Sequence, residues 1–300
     1  MIPFPSVIDS TILSAYKSCH RKAFYEYLMH YKPINPSVHL HAGGAFAHGL
    51  EVARKCYFER QKPVDASVAE GLGALIKAYG DFEAPEDSAK SLARMMGAFE
   101  FYHDQYPMPS DLAVPAKLPS GGRAIEFSFA EPIDVTHPQT GDPLLYVGRM
   151  DQIVEFAGGL YGEDDKTTSQ LGASWSKQWD LRGQFTGYCW GAARMGFPLS
   201  GFLIRGISIL KTKYETQQAL TYRHPWQIAQ WYEVTCRQIE AMKQDWASGT
   251  WDQDLADACS AYGGCLFRQV CMSQDPAPWL LNNFTRRVWD PVARTEKELA

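Results

Sequence analysis

The chain predicts a mixed α/β core with helical flanks, on three observations. Residues 148–166 carry the pattern of a β-hairpin: Gly148-Arg149-Met150-Asp151, an apolar and β-branched run to Phe156, an Ala157-Gly158-Gly159 turn, then Leu160 to Lys166. Stretches on both sides repeat apolar residues at helical spacing, as in Ile12, Tyr16, Cys19, Ala23 and Tyr27. A further strand pattern, Leu203 to Leu210, follows a helical stretch beyond the hairpin. With 300 residues, 45% of them hydrophobic, the chain can bury a real core.

From the N-terminus, Ser10 to His30 reads as a helix that Asp9 or Ser10 can cap. Gly43 to Glu59 is a second helix, carrying His48 and Glu51. Ala66 to Tyr106 is mostly helical, with a break near Ala84-Pro85. Pro107 to Gly122, rich in Pro and Gly, is a loop that precedes the sheet. Arg123 to Ala130 alternates as a strand, and the hairpin follows. Trp175 to Met195 reads as a helix, Leu203 to Leu210 as a strand and Trp226 to Ser248 as a helix. The expected organisation is a single domain over residues 1–300. Within it lie a mainly helical N-terminal segment (residues 1–122), a sheet core (residues 123–215) and a helical C-terminal segment (residues 216–300).

The hairpin carries chemistry. With the turn centred on Ala157-Gly158, facing residue numbers sum to about 315, so Asp151 lies opposite Asp164 and points to the same face. Lys166 shares that face because strand side chains alternate. Alone, an Asp-x-Lys triplet on a hairpin is usually a cross-strand ion pair; a matched Asp on the partner strand shifts the balance towards a site. Two carboxylates supply hard oxygen ligands for Mg²⁺ or Mn²⁺, which keep open positions for water and phosphate. An adjacent ammonium can steer the attacking water or balance charge that builds on a phosphate.

Asp151…Asp164-x-Lys166, followed by Gln184-Phe185-Thr186-Gly187-Tyr188, resembles the PD-(D/E)XK nucleases and, within them, the RecB-like exonuclease branch. A Gln-x-x-x-Tyr helix after the lysine strand marks that branch. Gly44-Ala45-Phe46-Ala47-His48 is similar to its Gly-x-x-x-His helix. The motifs occur in the family's order, from about Ser14 to Cys271. The resemblance implies a restriction-endonuclease-like αβββαβ core. It implies catalytic roles for Asp151, Asp164, Lys166, Gln184 and Tyr188, with a metal held by His48, Asp151 and Asp164. Gln184 and Tyr188, one helical turn apart, would contact DNA. Arg149, on the face of Asp151, is a further candidate for phosphate contact or for a salt bridge. Glu51, three residues after His48, and Glu126, on the first strand, are further candidates to join the site. Trp175 and Trp179 either stack on unpaired bases or form core wall.

Seven cysteines form an odd set, and the N-terminus has no charged leader or cleavage motif, so an oxidising compartment is not implied and a cytoplasmic location is expected. Cys56, Cys189 and Cys236 sit singly in apolar helical text as small hydrophobes. Cys259, Cys265 and Cys271 are spaced C-x5-C-x5-C, and Cys19 stands far upstream. Structural zinc is one reading, although zinc knuckles usually pair ligands two to four residues apart. All-thiolate ligation with longer gaps suits a cluster better. One N-terminal cysteine plus a C-terminal triplet resembles the iron–sulfur RecB-like nucleases, such as the AddB nuclease domain and the CRISPR-associated exonucleases. That resemblance implies a 4Fe–4S cluster on Cys19, Cys259, Cys265 and Cys271.

The net charge of −5 is unusual for a protein that grips phosphates. Basic residues do cluster locally, at Lys17, Arg21 and Lys22, at Arg205, Lys211 and Lys213, and at Arg286 and Arg287. No apolar run approaches a membrane span, and no P-loop motif marks a fused motor. The expectation is a Mg²⁺- or Mn²⁺-dependent DNA exonuclease acting on single strands or ends in recombination or repair. Two alternatives keep the fold: a nuclease that trims prespacers beside CRISPR-adaptation proteins, and an inactive DNA-binding module.

Overall fold

The computed structural model describes residues 2–254, 257–260, 264–293 and 295–298. In chain order the elements begin with β1 (Val7–Ile8), α1 (Ser10–Ser18), α2 (His20–Ala23), a π-helical turn (Phe24–Leu28) and β2 (Tyr31–Pro33). Next come α3 (Val38–Arg54), a second π-helical turn (Lys55–Glu59), α4 (Val64–Tyr79) and α5 (Leu92–Gln105). β3 (Val114–Pro115), β4 (Ile125–Thr136), β5 (Pro143–Phe156) and β6 (Gly159–Thr168) precede α6 (Ala173–Lys177), α7 (Gly183–Arg194), β7 (Gly201–Ile209) and β8 (Tyr214–Tyr222). α8 (Pro225–Ser248) leads to a 3-10 turn (Asp257–Cys259), α9 (Arg268–Met272), α10 (Ala277–Asn283), β9 (Phe284–Asp290) and β10 (Thr295–Glu298).

The expected order of helix, three strands, helix and strand is present as α5, β4, β5, β6, α7 and β7. Three details differ. The first expected helix is broken at Cys19, whose backbone is extended, with φ −169°. The expected helix from Trp175 to Met195 is two helices, interrupted between Lys177 and Gly183. The segment after residue 215, expected to be helical, holds the expected helix as α8 but also most of β8, then β9 and β10.

Two compact units divide the chain. One comprises residues 36–127 and 149–228. Its sheet pairs β5 antiparallel with β6, β6 parallel with β7, and β7 antiparallel with β8. All nine residues of β7 are buried, as expected of a strand covered on both faces. One face is covered by α3, α4 and α5 through Phe46, Leu50, Leu75 and Phe99, packed with Ile207 and Ile209. α3 and α4 cross closely: a Cβ at Gly49 would lie 3.0 Å from the Gly71 carbonyl oxygen and 2.9 Å from the Phe99 ring. On the other face Phe185 of α7 stacks on Phe202, with centroids 4.5 Å apart. Trp175 there lies against Gly206, where any Cβ would collide with its ring.

The other unit comprises residues 1–35, 128–148 and 229–300. Here β1 runs parallel to the first half of β5, with Val7 opposite Leu145. β2, β9 and β10 form a separate antiparallel sheet, so Tyr31 faces Arg286. α1 and α8 are joined by Tyr16, whose hydroxyl donates to Asp245 Oδ2 at 2.7 Å, and by His20 against the same oxygen. Among the described residues no helix is long and apolar enough to cross a membrane.

Candidate active site and the four-cysteine cavity

The hairpin forms as its sequence dictates. Ala157 and Gly158 both take positive φ, +49° and +80°, as a tight two-residue turn requires. Gln152 faces Glu163 and Phe156 faces Gly159, which is the register that sets Asp151 beside Asp164. The backbone N–H of Asp165 donates to Asp151 Oδ2 at 2.8 Å. Lys166 forms a close ion pair with Asp164.

The charges of these groups act on one another. Burial and then the neighbouring carboxylates of Asp164, Asp165 and Glu126 push the Asp151 carboxyl well above the usual range, against the opposing effect of Lys166. Burial alone would lower the Lys166 ammonium; Asp164 and Asp151 outweigh it and hold that pKa above the ordinary lysine value. Carboxylates crowded this way, with one ammonium among them, have the charge and the hard-oxygen chemistry that a divalent cation needs. The donor set therefore fits Mg²⁺ or Mn²⁺.

Glu126 reaches this cluster through an irregularity. Its φ of +57° is rare for a non-glycine residue and marks a local kink at the start of β4. Arg149 pairs with Glu126 and lies 3.8 Å from Glu51, so the salt-bridge alternative at Arg149 is realised. Glu51 also accepts from Lys55 at 2.6 Å and meets His48 Nδ1 at 3.1 Å. The His48 side chain is 50% exposed. Among the described residues no three His, Cys, Asp or Glu side chains stand close enough together to hold a metal ion as they lie, so His48, Asp151 and Asp164 are not a preformed trio. A Cβ at Gly44 would meet open space; the close approach on this helix is at Gly49.

α7 brings its motif to the same place. Gln184 Nε2 donates to the Tyr188 hydroxyl at 3.1 Å. That hydroxyl is near enough to Lys166 to raise the lysine's pKa. Tyr188 is buried against Phe202. Trp175 and Trp179 are buried and pack edge to face at 5.6 Å, so they are core wall and not a stacking platform. Arg205, read from sequence as one member of a basic cluster, is also buried. Its guanidinium grips Asp111 with two bonds of 2.6 Å and is not available to phosphate.

A set of residues on the reverse face of β6 was not singled out from sequence. Arg54 Nη1 donates to Asp165 Oδ2 at 2.7 Å, and its Nη2 donates to Glu163 Oε1 at 2.9 Å and to the Tyr102 hydroxyl at 3.1 Å. Gln152 Nε2 also reaches Glu163 Oε1, at 2.7 Å. Burial raises the Glu163 carboxyl to about 7 even though Arg205 and Arg54 oppose the shift. Burial works to raise Asp165 as well, but Arg54 and Tyr102 bring it below the usual range. Period-two alternation was the available signal: with Asp164 and Lys166 on one face, Glu163 and Asp165 must point to the other.

The second feature lies wholly within the other unit. Cys19, Cys259, Cys265 and Cys271 line one cavity of about 160 Å³, together with Lys22 and Arg268. Burial raises the Cys265 and Cys271 thiols; each is raised further by Cys19 and Cys259, while Lys22 and Arg21 respectively act the other way. Asp254 lines the same void, and as they lie the four thiols, like the hairpin carboxylates, do not stand close enough together to form a ready-made ligand set. Cys56 and Cys189 are buried in helices, and burial pushes Cys189 up to about 12. Cys236 is only partly buried.

The family model of the PD-(D/E)XK nuclease superfamily matches residues 10–272, and the chain belongs to that superfamily. It is thus a member of a nuclease class. Among solved structures, a candidate exonuclease from Eubacterium rectale aligns over 86% of this chain and 88% of its own, at 13% identity and a TM-score of 0.48. SSO0001 aligns over 78% of this chain and 84% of its own, at 14% identity and a TM-score of 0.29. No curated protein matches the chain.

Proposed function

We propose that the protein is a metal-dependent DNA exonuclease that hydrolyses phosphodiester bonds on single strands or at DNA ends. The observation that carries this reading is the convergence of Asp151, Asp164 and Lys166 on one face of the hairpin, with Tyr188 beside the lysine. Asp151 and Asp164 would hold Mg²⁺ or Mn²⁺, with His48 as the further ligand that the family motif implies. A metal held there would polarise a phosphoryl oxygen and make its bound water more acidic. Lys166 keeps its proton at neutral pH and faces the charge that grows on the phosphate. Gln184 and Tyr188 orient the strand being cut.

The four-cysteine cavity is assigned to a 4Fe–4S cluster that ties Cys19 to the C-terminal triplet, a structural staple that takes no role in the cleavage step.

End-labelled single strands and blunt duplexes, incubated with Mg²⁺ or Mn²⁺, test the reading. Mononucleotide or short-oligonucleotide release from an end is expected, and Asp164→Ala should remove it. Equal cleavage of circular and linear strands, or activity that survives a chelator, would overturn it.

A further inference from the structure

We propose that Arg54 is a positioning residue for the metal-binding strand, acting through Glu163 and Asp165 on the face of β6 that looks away from the site. The inference rests on the metal-dependent reading above and deepens it.

Glu163 and Asp165 flank Asp164. Their side chains point to one face of β6, while Asp164 and Lys166 point to the other. Residues two apart on a strand stand roughly 6.5 Å from each other, a span that one guanidinium fork can bridge and one ammonium cannot. Arg54 does bridge it, with separate nitrogens on Asp165 and Glu163. Its side chain is 7% exposed, that of Glu163 is 0% and that of Asp165 is 2%. The Tyr102 hydroxyl closes the circuit, accepting from Arg54 and donating to Asp165 Oδ1 at 2.5 Å.

The consequence for Asp164 is geometric. Rotation of β6 about its own axis would swing Asp164 and Lys166 away from Asp151, and it would have to break the buried fork. The Asp165 backbone is tied to the site as well, through its N–H to Asp151. Asp165 therefore couples the two faces: its side chain is held by Arg54 and its amide holds the opposing metal-ligand candidate. Arg54 also closes α3, the helix that carries His48, onto the acidic strand.

Carboxylate ligands lose roughly 10- to 100-fold in metal affinity or activity when the groups that orient them are removed. Arg54→Lys keeps the buried charge and loses the fork. Tyr102→Phe removes one hydroxyl and keeps the shape. Metal-stripped protein is titrated with Mn²⁺ by calorimetry, with Asp164→Ala defining heat that belongs elsewhere. We expect about tenfold or greater weakening of Mn²⁺ binding in Arg54→Lys and about threefold in Tyr102→Phe. Cleavage by both should partly recover at saturating Mn²⁺; because bound metal also stabilises the fold, the Mn²⁺ affinity of Tyr102→Phe at unchanged melting temperature carries the discrimination. Mn²⁺ affinities within twofold of wild type in both variants, whatever the melting temperatures, would overturn the proposal. If Arg54→Lys does not fold, Tyr102→Phe decides by the same criterion. A wild-type protein with no heat beyond that of Asp164→Ala would overturn the metal reading itself, and this inference with it.

Discussion

Asp165 donates its backbone N–H to the carboxylate of Asp151, across the hairpin and directly behind the ion pair of Asp164 with Lys166. One oxygen of Asp151 is thereby occupied by a neutral donor that does not compete for charge. The raised pKa of Asp151 follows from burial among carboxylates, and a divalent cation is the partner that would relieve it.

Lys166→Met should therefore separate binding from chemistry. Removing the ammonium takes away a cation that competes for Asp164 and Asp151, so Mn²⁺ affinity should hold or tighten. Single-turnover cleavage should fall by about 10² to 10³. Equal losses in affinity and rate would mean that Lys166 only maintains the local fold.

Tyr188→Phe removes the hydroxyl that Gln184 holds near Lys166 and leaves the ring packed on Phe202. Turnover should drop by about tenfold, with Mn²⁺ affinity and melting temperature close to wild type. Unchanged single-turnover rates in Tyr188→Phe and Gln184→Ala would return the pair to ordinary packing.

Protein purified without oxygen should be brown, with broad absorbance near ~400 nm and about four irons per chain. Cys19→Ala and Cys271→Ala should bleach it and lower the melting temperature, while Cys56→Ala keeps the colour. Stoichiometric zinc in a colourless preparation would retain the ligands and replace the cofactor.

Lys90 offers a pH test on the reverse face of β6. It is 5% exposed, its ammonium donates to Thr167 Oγ1 at 2.8 Å, and burial lowers its pKa from 10.5 to about 8. Between those values the unfolded chain binds more protons than the folded one, so this residue makes stability rise as pH increases from about 8 to 10.5. Lys90→Met should remove that rise and stabilise the protein at pH 7 by roughly 2 kcal/mol. Urea unfolding at pH 7 and pH 10 measures both; a parallel pH dependence in variant and wild type would contradict the assignment.

How much of this was legible in the sequence depended on where the apolar residues lay. The hairpin was readable because β-branched residues alternate into a glycine turn, and its register placed Asp151, Asp164 and Lys166 together. β8 was missed because Tyr214–Tyr222 is largely polar: only Ala219 and Thr221 are buried, which is a weak period-two signal. β9 carries Arg286 and Arg287 among half-buried positions and has the same weakness. The reverse face of β6 was implied by alternation alone, but nothing local could say that Arg54, more than one hundred residues upstream, would supply the charge. Arg205 misled for the complementary reason. A basic residue reads as surface unless the carboxylate that buries it, here Asp111, is known.

The pairing of β2 with β9 bears on how the molecule is made. Tyr31 must wait for Arg286, and Cys19 for Cys271, before either has its neighbour. The unit of residues 36–127 and 149–228 has all its chain available earlier. At ribosomal speeds of about 5–20 residues per second, this unit can begin to fold several seconds before the unit that holds Cys19 and Cys271. The N-terminal segment spends that interval without the strand partner of β2.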